Sequence, residues 1–154
     1  MKSLFHTNIL LLLLLSPLCV FSSCDDDDED DGNINPDIVQ FENITLSGDN
    51  EVPANSSAAT GTFNGTFNRD TKIMTYSIDF AGLTPTMMHF HKAAVGQNGD
   101  VEIGIGAAPF TSPVQGQTPA LTEAQEADLM AGLWYVNVHS NQFPGGEIRG
   151  QLVP

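Results

Sequence analysis

The sequence predicts an all-β fold, an antiparallel sandwich with one short helix. Three observations predict it. From Ile38 to the C-terminus, short segments alternate apolar and polar residues or are rich in β-branched ones, the period of strands with one buried face. Gly-, Pro- and Asn-containing turns separate them. Only the stretch beginning at Thr122 carries helix-start chemistry, with Gln125 three residues on as in a capping box.

The first part of the 154-residue chain is not read as fold. Lys2 is followed by an unbroken apolar run, Ile9 to Leu15, extended to Phe21. Its N-terminal position and short length predict a secretory signal over residues 1–23. Ser22-Ser23-Cys24 then resembles the lipobox of bacterial lipoproteins, with Phe21 where that motif usually has Leu. The resemblance implies lipidation at Cys24 and a chain tethered to the cell envelope, in the outer membrane and exposed at the surface. Asp25 to Asp31 is a block of consecutive acids, which repels itself; residues 24–37 are expected to be a disordered acidic linker. An acidic run after a lipidated cysteine also resembles a surface-export signal of some Gram-negative lipoproteins.

Cleavage before Cys24 removes Cys19 with the signal. The remaining chain then has one cysteine, so an intrachain disulfide, thiol catalysis and cysteine-type zinc sites are excluded. Roughly 115 residues follow the linker, enough for a single domain over 38–154. The net charge is −14, and no basic patch stands against it, which excludes nucleic acid as a partner. The membrane link rests on the lipid alone.

The elements follow in order. Val39 to Leu46 reads as a strand and 47–53 as a turn-rich loop. Thr60 to Asn68 places Phe63 and Phe67 on one face; Arg69 to Lys72 reverses the chain, and Ile73 to Phe80 completes a hairpin. Thr86 to Ala93 is a strand, Gln97 to Asp100 contains an Asn-Gly turn, and Val101 to Ile105 is a strand. Residues 106–121 read as a long loop with a short strand near Phe110. A helix of about three turns follows Thr122, with Ala124, Ala127, Leu129, Met130 and Leu133 as its partly apolar face and Gly132 as its stop.

The last twenty residues read as two strands around Pro144-Gly145-Gly146. Trp134, Val136 and Val138 face a core, while Tyr135, Asn137 and His139 face away. After the loop, Ile148 and Leu152 face one way and Glu147, Arg149 and Gln151 the other. Upstream, His89 and His91 share a face opposite Phe90. If these strands meet, three imidazoles converge. Zinc and copper both suit imidazole, with three ligands leaving an open position. Glu147 is a candidate fourth ligand or an outer acceptor, with Arg149, Asn137 and Tyr135 in the surrounding layer. The competing reading is a hydrogen-bonded polar cluster without metal. Met87 and Met88 immediately precede His89 and suggest soft copper ligation, but one must face the core, and core packing is the expected use. Ser140 lacks a nucleophile-elbow context, which argues against serine hydrolysis.

Several of these stretches share a resemblance. Leu46-Ser-Gly-Asp-Asn-Glu-Val-Pro53 with Ala59-Thr-Gly61, Gly82-Leu-Thr-Pro85 with His89-Phe-His91 and Gly96-Gln-Asn-Gly99, and Tyr135-Val-Asn-Val-His-Ser140 with Pro144-Gly-Gly-Glu-Ile-Arg-Gly-Gln151 resemble the CHRD (chordin) domain family over residues 41–153. The family often has Ile between the histidines and Thr after the third, where this chain has Phe90 and Ser140. A weaker resemblance is to copper–zinc superoxide dismutase, which carries a His-x-His pair on a sandwich strand. His89, His91 and His139 are too few for that family's two metal sites, and its disulfide cannot form, so dismutase activity is not expected. Together these imply an immunoglobulin-like or superoxide-dismutase-like β-sandwich. The functional expectation is a membrane-tethered, non-enzymatic envelope module for an unidentified envelope or extracellular ligand. The alternative is a copper or zinc protein, with redox chemistry within its scope.

Overall fold

The structure is a computed structural model describing Asn35, residues 37–106 and residues 108–154. The expected signal segment, Cys24 and all of the acidic linker except Asn35 and Asp37 lie outside the described residues. Among these residues the chain forms β1 (Ile38–Ser47), β2 (Thr60–Asn68), β3 (Ile73–Ala81), β4 (Pro85–Lys92), β5 (Val101–Gly104), β6 (Val114–Gln117), α1 (Glu123–Met130), β7 (Trp134–Ser140) and β8 (Ile148–Leu152).

All the strand pairings are antiparallel, in the order β5-β4-β7-β8-β1-β2-β3-β6. The two halves of this curled sheet meet at a seam where β1 and β8 share one residue pair, Ser47 opposite Arg149. The Asn50 amide spans the seam, donating to the carbonyls of Thr45 (3.2 Å) and Arg149 (3.1 Å). Both halves then face one core, giving a sandwich-like fold. Phe90 of β4 packs edge-on against Phe63 of β2 and Tyr76 of β3, with centroids 5.9 and 5.2 Å apart, distances at which aromatic pairs attract. Trp134, Val136 and Val138 of β7 and Ile148 and Leu152 of β8 fill the same interior.

Strand β1 explains its own imperfect alternation. Phe41 and Leu46 are both fully buried although five residues apart. The register against β2 shifts between Phe41 and Ile44, where Asn43 takes a positive φ of 54° and donates its N–H to the Asn64 side chain at 2.8 Å. This irregularity restores the inward face.

Two expectations need correction. The strand in the long loop lies at Val114–Gln117, not near Phe110, and pairs with the edge of β3 at Thr75 to Ile78. Its Gln-Gly-Gln composition carries no apolar alternation, so pairing to β3 creates it. Gly116 is required there, since a Cβ would lie 2.6 Å from the Tyr76 hydroxyl. The helix has eight residues, about two turns rather than three. Its capping box is present as expected: Gln125 N–H donates to the Thr122 hydroxyl, and the Thr122 N–H to the Gln125 side chain. Gly132 is the stop, as expected: it takes φ 69° and closes a Schellman motif, in which Leu133 N–H donates to Asp128 and Gly132 N–H to Leu129, so Leu133 lies beyond the helix. Ala124 and Ala127 are exposed; the buried helical residues are Leu129 and Glu126. Glu126 is tolerated because Lys72 Nζ lies 2.6 Å and Arg69 3.6 Å from its carboxylate.

Candidate metal centre

The outer face of β4, β7 and β8 is set by register. Cross-strand partners share a face. His91 pairs with Tyr135, which pairs with Gln151; His89 pairs with Asn137, which pairs with Arg149; His139 pairs with Met87. The histidines, Tyr135, Asn137 and Arg149 therefore stand on one surface, opposite Phe90, Val136 and Ile148.

This surface points away from the core yet is largely buried, with His89 part-exposed, and every residue of β7 is buried on both sides of the sheet. Three loops cover it. Residues 48–59 are tied down where the Asn55 amide donates to the carbonyls of Gly146 and Glu147, at 3.2 and 3.1 Å. Residues 93–100 are joined to that loop by the Asn98 amide donating to Val52 O at 2.6 Å. Residues 141–147 close the third side.

The three histidines come together. Their ligand-capable nitrogens all lie within 4.8 Å of one another. His89 Nδ1 and His139 Nε2 are 3.1 Å apart. His139 Nδ1 lies 3.0 Å from the Pro144 carbonyl, and His91 Nδ1 lies 3.0 Å from the Gly99 carbonyl. A carbonyl only accepts, so each Nδ1 carries a proton, and in the neutral ring Nε2 keeps the lone pair. His91 Nε2 is buried and has no hydrogen-bond partner. His139 Nε2 accepts from His89 Nδ1, a contact that an ion between them would replace, and an imidazole fixed by a carbonyl with its other nitrogen turned inward is the arrangement of metal-binding histidines.

The electrostatics favour the neutral form of His89 and His139. Burial lowers the pKa of His89 below its ordinary value, and the neighbouring His139 and His91 lower it further. Burial also lowers His139, against the hydrogen bond to Pro144, with His91 adding to the lowering. Neutral imidazole is the form that ligates a metal.

Glu147 lies outside the three-histidine cluster. It is buried, and it accepts a 2.6 Å hydrogen bond from the Ser57 hydroxyl, tying the first loop to the last hairpin. Tyr135, Asn137 and Arg149 flank the histidines. Tyr135 stacks on His91, and the Arg149 guanidinium lies 3.4 Å from the Tyr135 ring centre. Burial pulls the Arg149 pKa down, opposed by Tyr135 and Glu51.

Glu51 was not among the residues picked out from the sequence. It is 7% exposed, and one carboxylate oxygen is buried without a partner. Burial raises its pKa to about 7, against the Arg149 charge, the Val52 N–H and the Asn137 side chain. Asn98 and Gly99 likewise read only as a turn. All three sit inside the motifs that carry the resemblance, and a glutamate contributes nothing to turn geometry, which was the available signal.

The fold and this face define a β-sandwich module with a loop-covered histidine centre. The chain belongs to the CHRD domain family, whose model matches residues 43–152. No curated protein and no solved structure matched it.

Proposed function

We propose that this chain is a non-enzymatic binding module whose ligand is a copper or zinc ion held by His89, His91 and His139. Membership of the CHRD family supports a binding module. One observation carries the metal reading: the buried, unpartnered lone pair of His91 Nε2, in a cluster whose other imidazoles also present nitrogens inward. An orphaned buried polar atom costs on the order of 1–3 kcal/mol, and a metal bond removes that cost. Ligands at about 2.0–2.1 Å around a tetrahedral ion stand roughly 3.3 Å apart, so the cluster needs only a small contraction. The module is tethered through a lipid on Cys24 and the acidic linker to the outer side of the cell envelope.

The test is metal content. The full-length protein, purified without a histidine tag or chelator, is expected to carry or take up about one copper or zinc ion per chain. A variant with His89, His91 and His139 all replaced by Ala is expected to take up none. Failure of the unaltered protein to bind either metal on titration would make the histidines a structural cluster. For the tether, Cys24→Ala is expected to move the protein from the membrane to the soluble fraction; unchanged membrane association would remove the lipid from the account.

A further inference from the structure

Resting on the three-histidine reading, we propose that Met87 supplies a thioether ligand to this centre, and that the ion it takes is therefore copper, with the cuprous state among those bound. Met87, His89 and His91 occupy alternate positions of β4 and so share a face. Met87 also stands directly opposite His139 in the β4–β7 register. Side chains directly opposite one another have Cβ atoms only about 4.5–5.5 Å apart, and an unbranched thioether with three rotatable bonds spans that gap.

The adjacent methionine separates the two uses of such a side chain. Met88 is fully buried in the core with Phe90. Met87 is 46% exposed and takes no part in the core. The packing role expected of a methionine therefore belongs to Met88. That leaves a flexible sulfur at the rim of a cluster of three imidazoles, on a face otherwise made of polar side chains.

The chemistry selects the ion. Thioether is a soft ligand that zinc seldom uses, whereas cuprous copper takes thioether and imidazole together. Glu147, the other candidate for the fourth position, is engaged by Ser57. Three imidazoles with a thioether hold copper, while three imidazoles with an open position suit zinc equally well.

The experiment titrates the full-length protein with Cu(I) alone and Zn(II) alone against competing chromophoric chelators. It compares the unaltered chain with Met87→Leu, Met88→Leu and His139→Ala. Met87 is exposed, so the Leu variant does not threaten the fold. The expected result is that Met87→Leu lowers the Cu(I)-to-Zn(II) affinity ratio about tenfold or more, the scale on which partners of a metal site act. X-ray absorption of the copper-loaded protein is expected to show a sulfur neighbour in the unaltered and Met88→Leu chains and none in Met87→Leu. Equal Cu(I) affinity in Met87→Leu, with no sulfur neighbour, overturns the assignment of Met87. If His139→Ala still abolishes binding in that case, the three-histidine centre stands. Absence of any metal binding by the unaltered chain overturns both.

Discussion

His91 lies flat against Tyr135, with 4.8 Å between ring centroids and 5° between planes. Strands β4 and β8 flank β7, so Arg149 reaches the same ring from the other side. The Tyr135 hydroxyl also accepts the Gly99 N–H at 3.2 Å, and the Gly99 carbonyl is what fixes His91 Nδ1. One tyrosine thus orients a histidine both by its face and through its hydroxyl.

Replacing it loosens both constraints. Tyr135→Leu is expected to destabilise the protein by ~2–4 kcal/mol in urea unfolding, from lost packing and an unpaired Gly99 N–H. Metal affinity is expected to fall about tenfold, as for other outer partners of a metal site. Unchanged affinity in titration would show that His91 needs no such support.

Glu51 gives the stability a pH dependence of known sign. Its folded-state pKa of about 7 stands above the ordinary 4.5. Between these values the folded chain keeps a proton that the unfolded chain has released. Its contribution is therefore fully present below pH 4.5 and is lost as pH rises through 7. Glu51→Gln stays neutral throughout. Relative to the unaltered chain it is expected to gain on the order of 1–3 kcal/mol at about pH 8 and little at about pH 4, measured by urea unfolding across that range.

The histidines act in the opposite direction. His89 and His139 both lie below the ordinary 6.5. As pH falls through that ordinary value the unfolded chain takes up protons first, so their contribution is present above it and is lost through the lower folded values. Metal affinity is expected to hold from about pH 8 down to the ordinary imidazole range and to fall only below it. Isothermal titration at a series of pH values checks this; a fall already complete at about pH 7 would contradict neutral, buried rings.

At the far end of the sandwich, Lys72 holds the helix through Glu126. Lys72→Met leaves a nearly buried carboxylate with only the longer Arg69 contact. The expected cost is ~1–2 kcal/mol by denaturant unfolding, and the double variant Lys72→Met, Glu126→Leu is expected to recover most of it. No effect of the single substitution would mean that solvent satisfies Glu126.

What the sequence made legible follows from how local each signal is. The β2–β3 hairpin was readable because Phe63 and Phe67 alternate on one side of a short reversal. The helix cap was readable because Thr122 and Gln125 satisfy each other. The helix face was not, because the burial of Glu126 depends on Arg69 and on Lys72, the latter 54 positions away in the chain. Strand β6 was misplaced because its own residues carry no pattern and its partner lies on β3. The three histidines were readable as a shared face, since strand period alone brings His89 to His91. Glu51 was not, since its burial depends on residues 48–59 folding over β7 and β8.

The seam between β1 and β8 sets how the molecule opens. With one residue pair and the Asn50 amide there, main-chain bonding barely crosses the middle of the sheet; the halves are held chiefly by the shared core, Phe90 meeting Phe63 and Tyr76 face to edge within it, and by the loop of residues 48–59. Amide hydrogens on either side then exchange as two cooperative units, with the histidine-bearing strands β4 and β7, and β8 beside them, all in one of them. An ion bound to that unit slows its exchange directly and reaches the β1–β3 half less directly, through Phe90, the residue between the two histidines of β4, and through the loop of residues 48–59 that Asn55 and Ser57 tie to the last hairpin.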